Sequence, residues 1–352
     1  MEFHKPKPVR SWRELLTGTG VLLAAVLTAL YSVVAAETNT QQMAYGSAGK
    51  ARPAAIINGQ QNQTPSPDDV AAMEDALPRK AFVAPKRPRK ILIFCHATGY
   101  VHRSIPLAAI AIKELGEKTG AWSATVSYEP SVFTADSLKQ YDLIFLDSAT
   151  GSFLDVAGDP QLTAARRKAF IDFIRNGKGL AAIHAGALDS YVMPTAAPMG
   201  ADNPTSAWPD MKKAAGALFK WHWSYPQLVT VKIDDPKSPI TSMFHGEEFD
   251  IHDEIYTFAQ GSFSRNDIHV LTSIDYEKMS DADKAKEPAA TKRTDGDYPL
   301  SWIRREGNGR VFIEALGHDE HIYFLPAMLQ HILAGTQYAL GDLSADDAPS
   351  AK

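Results

Sequence analysis

The sequence predicts an α/β domain, an open and mostly parallel sheet with helices on both faces, and three observations predict it. Short continuous apolar runs, such as Lys90-Ile-Leu-Ile-Phe-Cys95 and Gly179-Leu-Ala-Ala-Ile183, have the length and composition of strands covered on both faces. Between them, apolar residues recur at helical spacing: Ile105, Ala108, Ile112 and Leu115 in one stretch, Phe170, Ile171 and Ile174 in another. The two patterns alternate along the chain, as parallel strands joined by crossover helices require.

Residues 90–95 form the first strand, and Ser104 is placed to cap a helix running to Lys118. Residues 124–128 and 143–146 read as the next two strands. Thr163 precedes a helix through Ile174, ended by Asn176-Gly177, and residues 179–183 make a fourth strand. The second half is less regular. Residues 228–233 and 268–274 are strand-like, and 300–304 and 311–315 flank Gly307-Asn308-Gly309, a strong hairpin signal. Residues 325–340 form a closing amphipathic helix, with Met328, Leu329, Ile332, Leu333 and Tyr338 for the core. The loop at 276–297 mixes both charge signs and is expected in solvent.

Of 352 residues, 45% are hydrophobic and 22% charged, an ordinary globular composition, and the net charge of -5 leaves no basic footprint for nucleic acid. The basic run Lys86-Arg87-Pro88-Arg89-Lys90 reads as a solvated approach to the first strand. A single cysteine, Cys95, excludes an intrachain disulfide and a cysteine metal cluster, and reads as a small buried hydrophobe. Lys5, Lys7, Arg10 and Arg13 precede an apolar stretch at 21–30 that continues through Val33 and Val34 to Ala35-Ala36-Glu37. This is the pattern of a secretory signal, although 18–36 also approaches the ~20 residues of an uncleaved membrane anchor. Either way the rest is expected outside the cytoplasm, periplasmic or anchored to the inner membrane through that segment alone. Residues 1–36 are thus a signal or anchor, 37–88 a flexible linker with one short helix near 68–76, 89–342 the folded domain, and 343–352 a disordered tail.

Ligands of open parallel sheets bind beyond the carboxyl ends of the strands. His96, Tyr100 and His102 follow the first strand, His184 the fourth, and His318, Asp319, Glu320 and His321 the last. Asp253, Glu254 and Tyr256 fall in an irregular stretch. At Ile183-His184-Ala185-Gly186 a strand ends abruptly at a histidine flanked by small residues, which suits a tight turn like a nucleophile elbow. Histidine in place of Cys or Ser rules against a covalent acyl intermediate, and Cys95 lies on the wrong strand to replace it. A neutral imidazole there could act as general base, hydrogen-bond donor or metal ligand, or could simply pack the turn. His318 and His321 could share a helix face, but no H-E-x-x-H motif is present, and Asp319 and Glu320 also suit a helix cap. His102 could equally be a capping or surface residue. Phe219-Lys-Trp-His-Trp223 sets His222 between indoles that could stack on a sugar or fill the core. Asp253-Glu254 reads as an acid/base or ligand pair, or as surface charge.

In order, His102-Arg-Ser-Ile-Pro106, Gly179-Leu-Ala-Ala-Ile-His-Ala-Gly186, Phe219-Lys-Trp-His222, Asp253-Glu-Ile-Tyr256, Pro299-Leu-Ser-Trp302, Gly309-Arg-Val-Phe312 and Leu316-Gly-His-Asp319 resemble the ThuA-like (trehalose utilisation) family over residues 89–341. No single motif is specific, but the ordered set is. The resemblance implies a flavodoxin-like fold similar to class I glutamine amidotransferases, with histidine replacing the nucleophile, and a link to trehalose and keto-sugar utilisation. Carried over, it implies a site of His102, His184, His222, Asp253, Glu254 and His318. On that basis His184, Asp253, Glu254 and His318 are the catalytic candidates. Tyr100, His102, Trp221, Tyr256 and Trp302 would bind substrate. His184, His222 and His318 would hold a divalent, zinc-like transition metal, with no nucleotide cofactor and a small carbohydrate as partner. The rival reading is a non-catalytic carbohydrate-binding domain tethered to the envelope. Residues 189–217 and 276–297 do not match the family pattern and could border the pocket.

Overall fold

The computed structural model describes residues 64–193, 198–290 and 292–351. In chain order they form α1 (Pro67–Ala76), β1 (Lys90–Phe94), α2 (Ile105–Thr119), β2 (Ser123–Ser127), α3 (Ala135–Leu138), β3 (Leu143–Asp147), α4 (Pro160–Arg175), β4 (Gly179–Ile183) and α5 (Ala185–Leu188). Then follow α6 (Pro209–Ala215), β5 (Phe219–Ile233), β6 (Phe249–Phe258), β7 (His269–Ile274), α7 (Asp281–Lys284), β8 (Pro299–Glu306), β9 (Gly309–Glu314) and α8 (Pro326–Ala339). The strands make one mixed sheet in the order β2-β1-β3-β4-β9-β8-β7-β5-β6. β2, β1, β3, β4 and β9 run parallel, and β8, β7, β5 and β6 extend that sheet with antiparallel neighbours.

Side chains alternate across a strand, so each parallel strand must be apolar on both faces if helices cover both. Ile91, Ile93, Leu143, Phe145, Ala181 and Ile183 point to one face, packed against residues of α2 and α8. Leu92, Phe94, Ile144, Leu146, Leu180 and Ala182 point to the other, against α4 and α6. Helix α4 starts ahead of Thr163: Asp159 is the cap, accepting from the Leu162 N–H at 2.8 Å, with Pro160 at the first helical position. Ser104 does not cap α2 with its side chain; its hydroxyl donates to the Gly317 carbonyl at 2.9 Å and ties two loops together.

The antiparallel half departs more from expectation. The stretch holding Asp253, Glu254 and Tyr256 is regular strand, and its partner β5 begins nine residues before the expected 228. A register shift between Trp223 and Gln227 breaks the alternation that would have marked one long strand. The loop at 276–297 is not simply solvated. Lys220 and Glu287 form an ion pair at 2.9 Å with both side chains fully buried, and Tyr298 donates to the same carboxylate at 2.6 Å. A lysine buried on β5 requires a buried counter-charge, and this loop supplies it.

Both ends of the folded body are also larger than expected. Phe82 and Val83 bond through their backbone to the Gln337 amide at 2.9 and 2.7 Å, and Arg89 pairs with the nearly buried Asp342 at 2.9 Å. Arg87 pairs with Asp142, so the basic run is partly an anchor rather than a solvated approach. The polar groups that end α8 thus find their partners in the supposed linker. Beyond α8, residues 343–351 dock as well: the Ser350 N–H donates to Ile268 at 3.0 Å, and Tyr338 donates to Asp347 at 2.8 Å. The first bond occupies the carbonyl just ahead of β7 and the second ties the stretch to α8. The expected signal or anchor and the linker to residue 63 lie outside the described residues, among which no helix is long and apolar enough to cross a membrane.

Candidate functional site

Strand β4 ends at Ile183 and leads into His184, whose backbone takes φ 51° and ψ −121° before the single turn α5. A side chain there costs about 1–3 kcal/mol, so surrounding contacts must hold it. The His184 N–H donates to the Glu314 carbonyl at 2.7 Å. Gly186 permits the turn, because a Cβ there would lie 2.2 Å from the Leu146 carbonyl oxygen. This is the elbow expected at the end of the fourth strand, and it fully buries the imidazole.

The tautomer follows from the partners. His184 Nδ1 lies 3.0 Å from the Ala315 carbonyl, which can only accept, so Nδ1 carries the proton. Neutral His184 therefore presents a lone pair at Nε2, 3.1 Å from His102 Nε2 and 3.4 Å from Glu254 Oε2. His318 Nδ1 stands 3.1 Å from the same carboxylate oxygen, yet off the line of a hydrogen bond. One ligand atom from each of His102, His184, Glu254 and His318 lies within 4.8 Å of all the others. Four donors in a tetrahedron around an ion at about 2.1 Å stand about 3.4 Å apart, close to these separations. Three imidazole nitrogens and one carboxylate suit zinc or a similar transition metal better than an oxygen-seeking cation. The Ala315 carbonyl on Nδ1 is the outer contact a ligating histidine normally has.

His222 is placed differently from expectation. Its Nδ1 lies 3.1 Å from Glu254 Oε1, the far carboxylate oxygen, and like His318 Nδ1 off the line of a hydrogen bond, while His102 takes its place in the ligand set. Burial would raise the Glu254 carboxyl, but the His184 and His318 imidazoles beside it outweigh burial and hold it well below the usual range. Burial, then neighbouring imidazoles, push His102 well below the ordinary histidine value, and burial lowers His222. For His318 burial is outweighed by Glu254, and the net shift is upward.

Adjacent residues on a strand face opposite ways, so Asp253 and Glu254 are not an acid/base pair. Glu254 enters the cavity, whereas Asp253 is fully buried behind it and accepts from the Gly317 and His318 N–H groups at 2.6 and 3.4 Å. Asp253 positions the loop that carries His318, and Gly317 makes the bend at φ 123°. Arg103, next to His102, bonds Asp319 and Glu320 at 3.2 and 2.8 Å and closes the same loop from the other side.

A cavity of about 510 Å³ opens over these groups, lined in part by Tyr100, His102, His222, Glu254, Tyr256 and His318. Tyr100 and Tyr225 each lie near-parallel to the His318 ring, at 6.3 and 6.0 Å. Tyr256 is buried with its ring 4.5 Å from His184. Two expected binding residues do not belong here. Trp302 is fully buried, bonding the Ala215 carbonyl at 2.8 Å and packing on Phe258, and Trp221 packs against Trp223 outside the lining. His96 packs near Phe94 and His321 pairs with Asp319; neither is in the ligand set. The sequence reading missed Asp189, Arg103 and Tyr225 in the lining. Proximity could have flagged the first two, five residues past the elbow and beside His102; nothing in local pattern marks Tyr225.

The family described as ThuA, trehalose utilisation, matches residues 90–339. A solved ThuA-like protein from Bacteroides uniformis is 21% identical, with a TM-score of 0.50, the match covering 71% of this chain and 92% of that one. A ThuA-like protein from Parabacteroides merdae is 18% identical with a TM-score of 0.49, covering 74% and 93%. No curated protein matches. At this identity the first likeness bears on fold, and it agrees with the α/β, flavodoxin-like arrangement.

Proposed function

The chain belongs to the ThuA family, described as trehalose utilisation, and from that premise we propose that it is a sugar-acting enzyme built around a divalent transition-metal centre. The observation that carries this is the convergence of His102, His184, His318 and Glu254 at the floor of one cavity. An ion held there would supply Lewis acidity, polarising a sugar carbonyl or hydroxyl. The chain supplies the rest. His184 is locked as a donor of its Nε2 lone pair by Ala315, and His222 stands 3.1 Å from the far oxygen of Glu254. Tyr100 and Tyr225 flank His318 and offer ring faces to the apolar side of a pyranose. Arg103 and Asp319 edge the cavity with groups able to bond hydroxyls.

Lyases, isomerases and hydrolases of sugars share a proton transfer beside a polarised oxygen, and this cavity suits that step. A purely binding role would draw on Trp221 and Trp302, which do not line the cavity, and has no use for a convergent ligand set. We place the domain outside the cytoplasm, a reading supported by the basic and then apolar pattern of residues 1–36.

Incubating the protein with trehalose and its oxidised keto-sugars, with zinc and after its removal, tests the proposal. NMR of the sugars should reveal a product that needs the metal and disappears in Glu254→Gln. Turnover indifferent to metal removal and to that substitution would contradict it.

A further inference from the structure

We propose that Asp189 is the proton-transferring group of this cavity, acting on a sugar held over the His–Glu centre. The inference rests on the metal-centre reading above and adds to it the group that moves the proton.

The elbow explains the placement. The single turn that starts after His184 ends at Asp189, so one short piece of chain delivers an imidazole to the floor and a carboxylate to the wall. The backbone of Asp189 is held on both sides: its N–H donates to Ala185 at 3.2 Å, and its carbonyl accepts from Gly151 at 3.1 Å. Its side chain lines the cavity together with Glu254, His222 and Tyr256.

The other carboxylates nearby are committed. Glu254 faces three histidines, Asp253 holds the Gly317 N–H, and Asp319 pairs with Arg103 and His321. Among the described residues no ion pair or hydrogen bond engages the Asp189 carboxyl. Arg103, the cation of the lining, is held by Asp319 and Glu320. Burial, and then the charge of Glu254, push Asp189 up to about 7. Two carboxyls of one cavity are thus driven apart, Glu254 ionised and Asp189 able to take or give a proton near neutrality, the division of labour that general acid–base catalysis needs.

In the step itself, the Asp189 carboxylate takes a proton from a C–H or O–H bond of the sugar, whose electron pair stays on the sugar. Asp189, now a carboxylic acid, returns that proton to the neighbouring atom or to a departing oxygen. No oxidant or further reactant is consumed.

The test uses full-length protein, wild type and Asp189→Asn, with carbon-13 in the aspartate carboxyls, metal-free for the carboxyl titration and zinc-loaded for zinc content and turnover. Zinc content should be equal in the two, and one carboxyl resonance should titrate near neutral pH in the wild type and be missing from the variant. For any sugar among trehalose and its keto-sugars that the wild type converts, the variant should lose about 10²–10⁴-fold in kcat with KM within a few fold. No near-neutral resonance, or turnover of such a sugar within a few fold of wild type, would overturn the proposal. Loss of zinc in the variant would also overturn it, by making Asp189 a structural or ligand group. Should wild type bind no zinc, the metal-centre reading fails, and the carboxyl titration still decides for or against Asp189.

Discussion

The two halves of the sheet solve different problems. β1 to β4 are strands of five residues; β1, β3 and β4 are almost wholly apolar and buried, and their chemistry waits until the chain has left the sheet. β5 and β6 are longer and carry Lys220, His222, Asp253 and Glu254 within the strands themselves. The parallel half supplies rigid strand ends, of which the His184 elbow is the most constrained. The antiparallel half supplies charge, and must neutralise each charge it buries. The site forms where both are needed: imidazoles from strand-end loops meet a carboxylate from the body of a strand. Position comes from one half and charge from the other.

That division can be broken first where it costs most. Lys220→Met leaves Glu287 buried without its partner, which should destabilise the fold by about 3–5 kcal/mol in urea unfolding. Adding Glu287→Leu should recover much of that loss, and no recovery would mean that the pair does more than satisfy itself. In the parallel half, Gly186→Ala forces a Cβ toward the Leu146 carbonyl and should cost about 1–3 kcal/mol while weakening zinc binding. Asp253→Ala releases the Gly317 N–H and should weaken zinc affinity about 10–100-fold without removing a ligand, as calorimetric titration would read. Tyr225→Ala should weaken sugar binding measurably and Trp221→Ala should not, since one lines the cavity and the other packs outside it.

The smallest effect lies far from the site, at Asp142. Burial raises its carboxyl, but hydrogen bonds from Arg87, Lys178 and the Lys90 N–H outweigh that and leave it below the ordinary value. A depressed folded value means stability present above about pH 4 and lost as pH falls through the folded value. With Arg87 half exposed the contribution should be under about 1 kcal/mol, and Asp142→Asn should flatten that acid limb of the stability profile.

The same contrast explains what could be read from the residues alone. Strands buried on both faces announce themselves as apolar runs, so β1, β3 and β4 and the break at His184 were legible. The hairpin was legible from Gly307-Asn308-Gly309. β6 was not, because it mixes polar and apolar residues on two largely buried faces and its partner carries a register shift. Glu254 and His222 were therefore marked by residue type and by the family resemblance rather than by periodicity. Trp302 came from the resemblance alone and is a core residue, since a motif records which positions recur and not which way a side chain points. The docked ends were hidden for a related reason: Gln337 and Asp342 look like surface residues until the partners at Phe82, Val83 and Arg89 are seen.

The central claim is that groups from both halves hold one metal ion. Elemental analysis of the full-length protein, purified without chelator and then reconstituted with zinc, tests it most directly, alongside His184→Ala and Glu254→Ala. The account predicts close to one transition-metal ion per chain in the wild type and its loss in both variants, one from each half. A wild type that binds no metal after reconstitution, or metal retained in both variants, would contradict it.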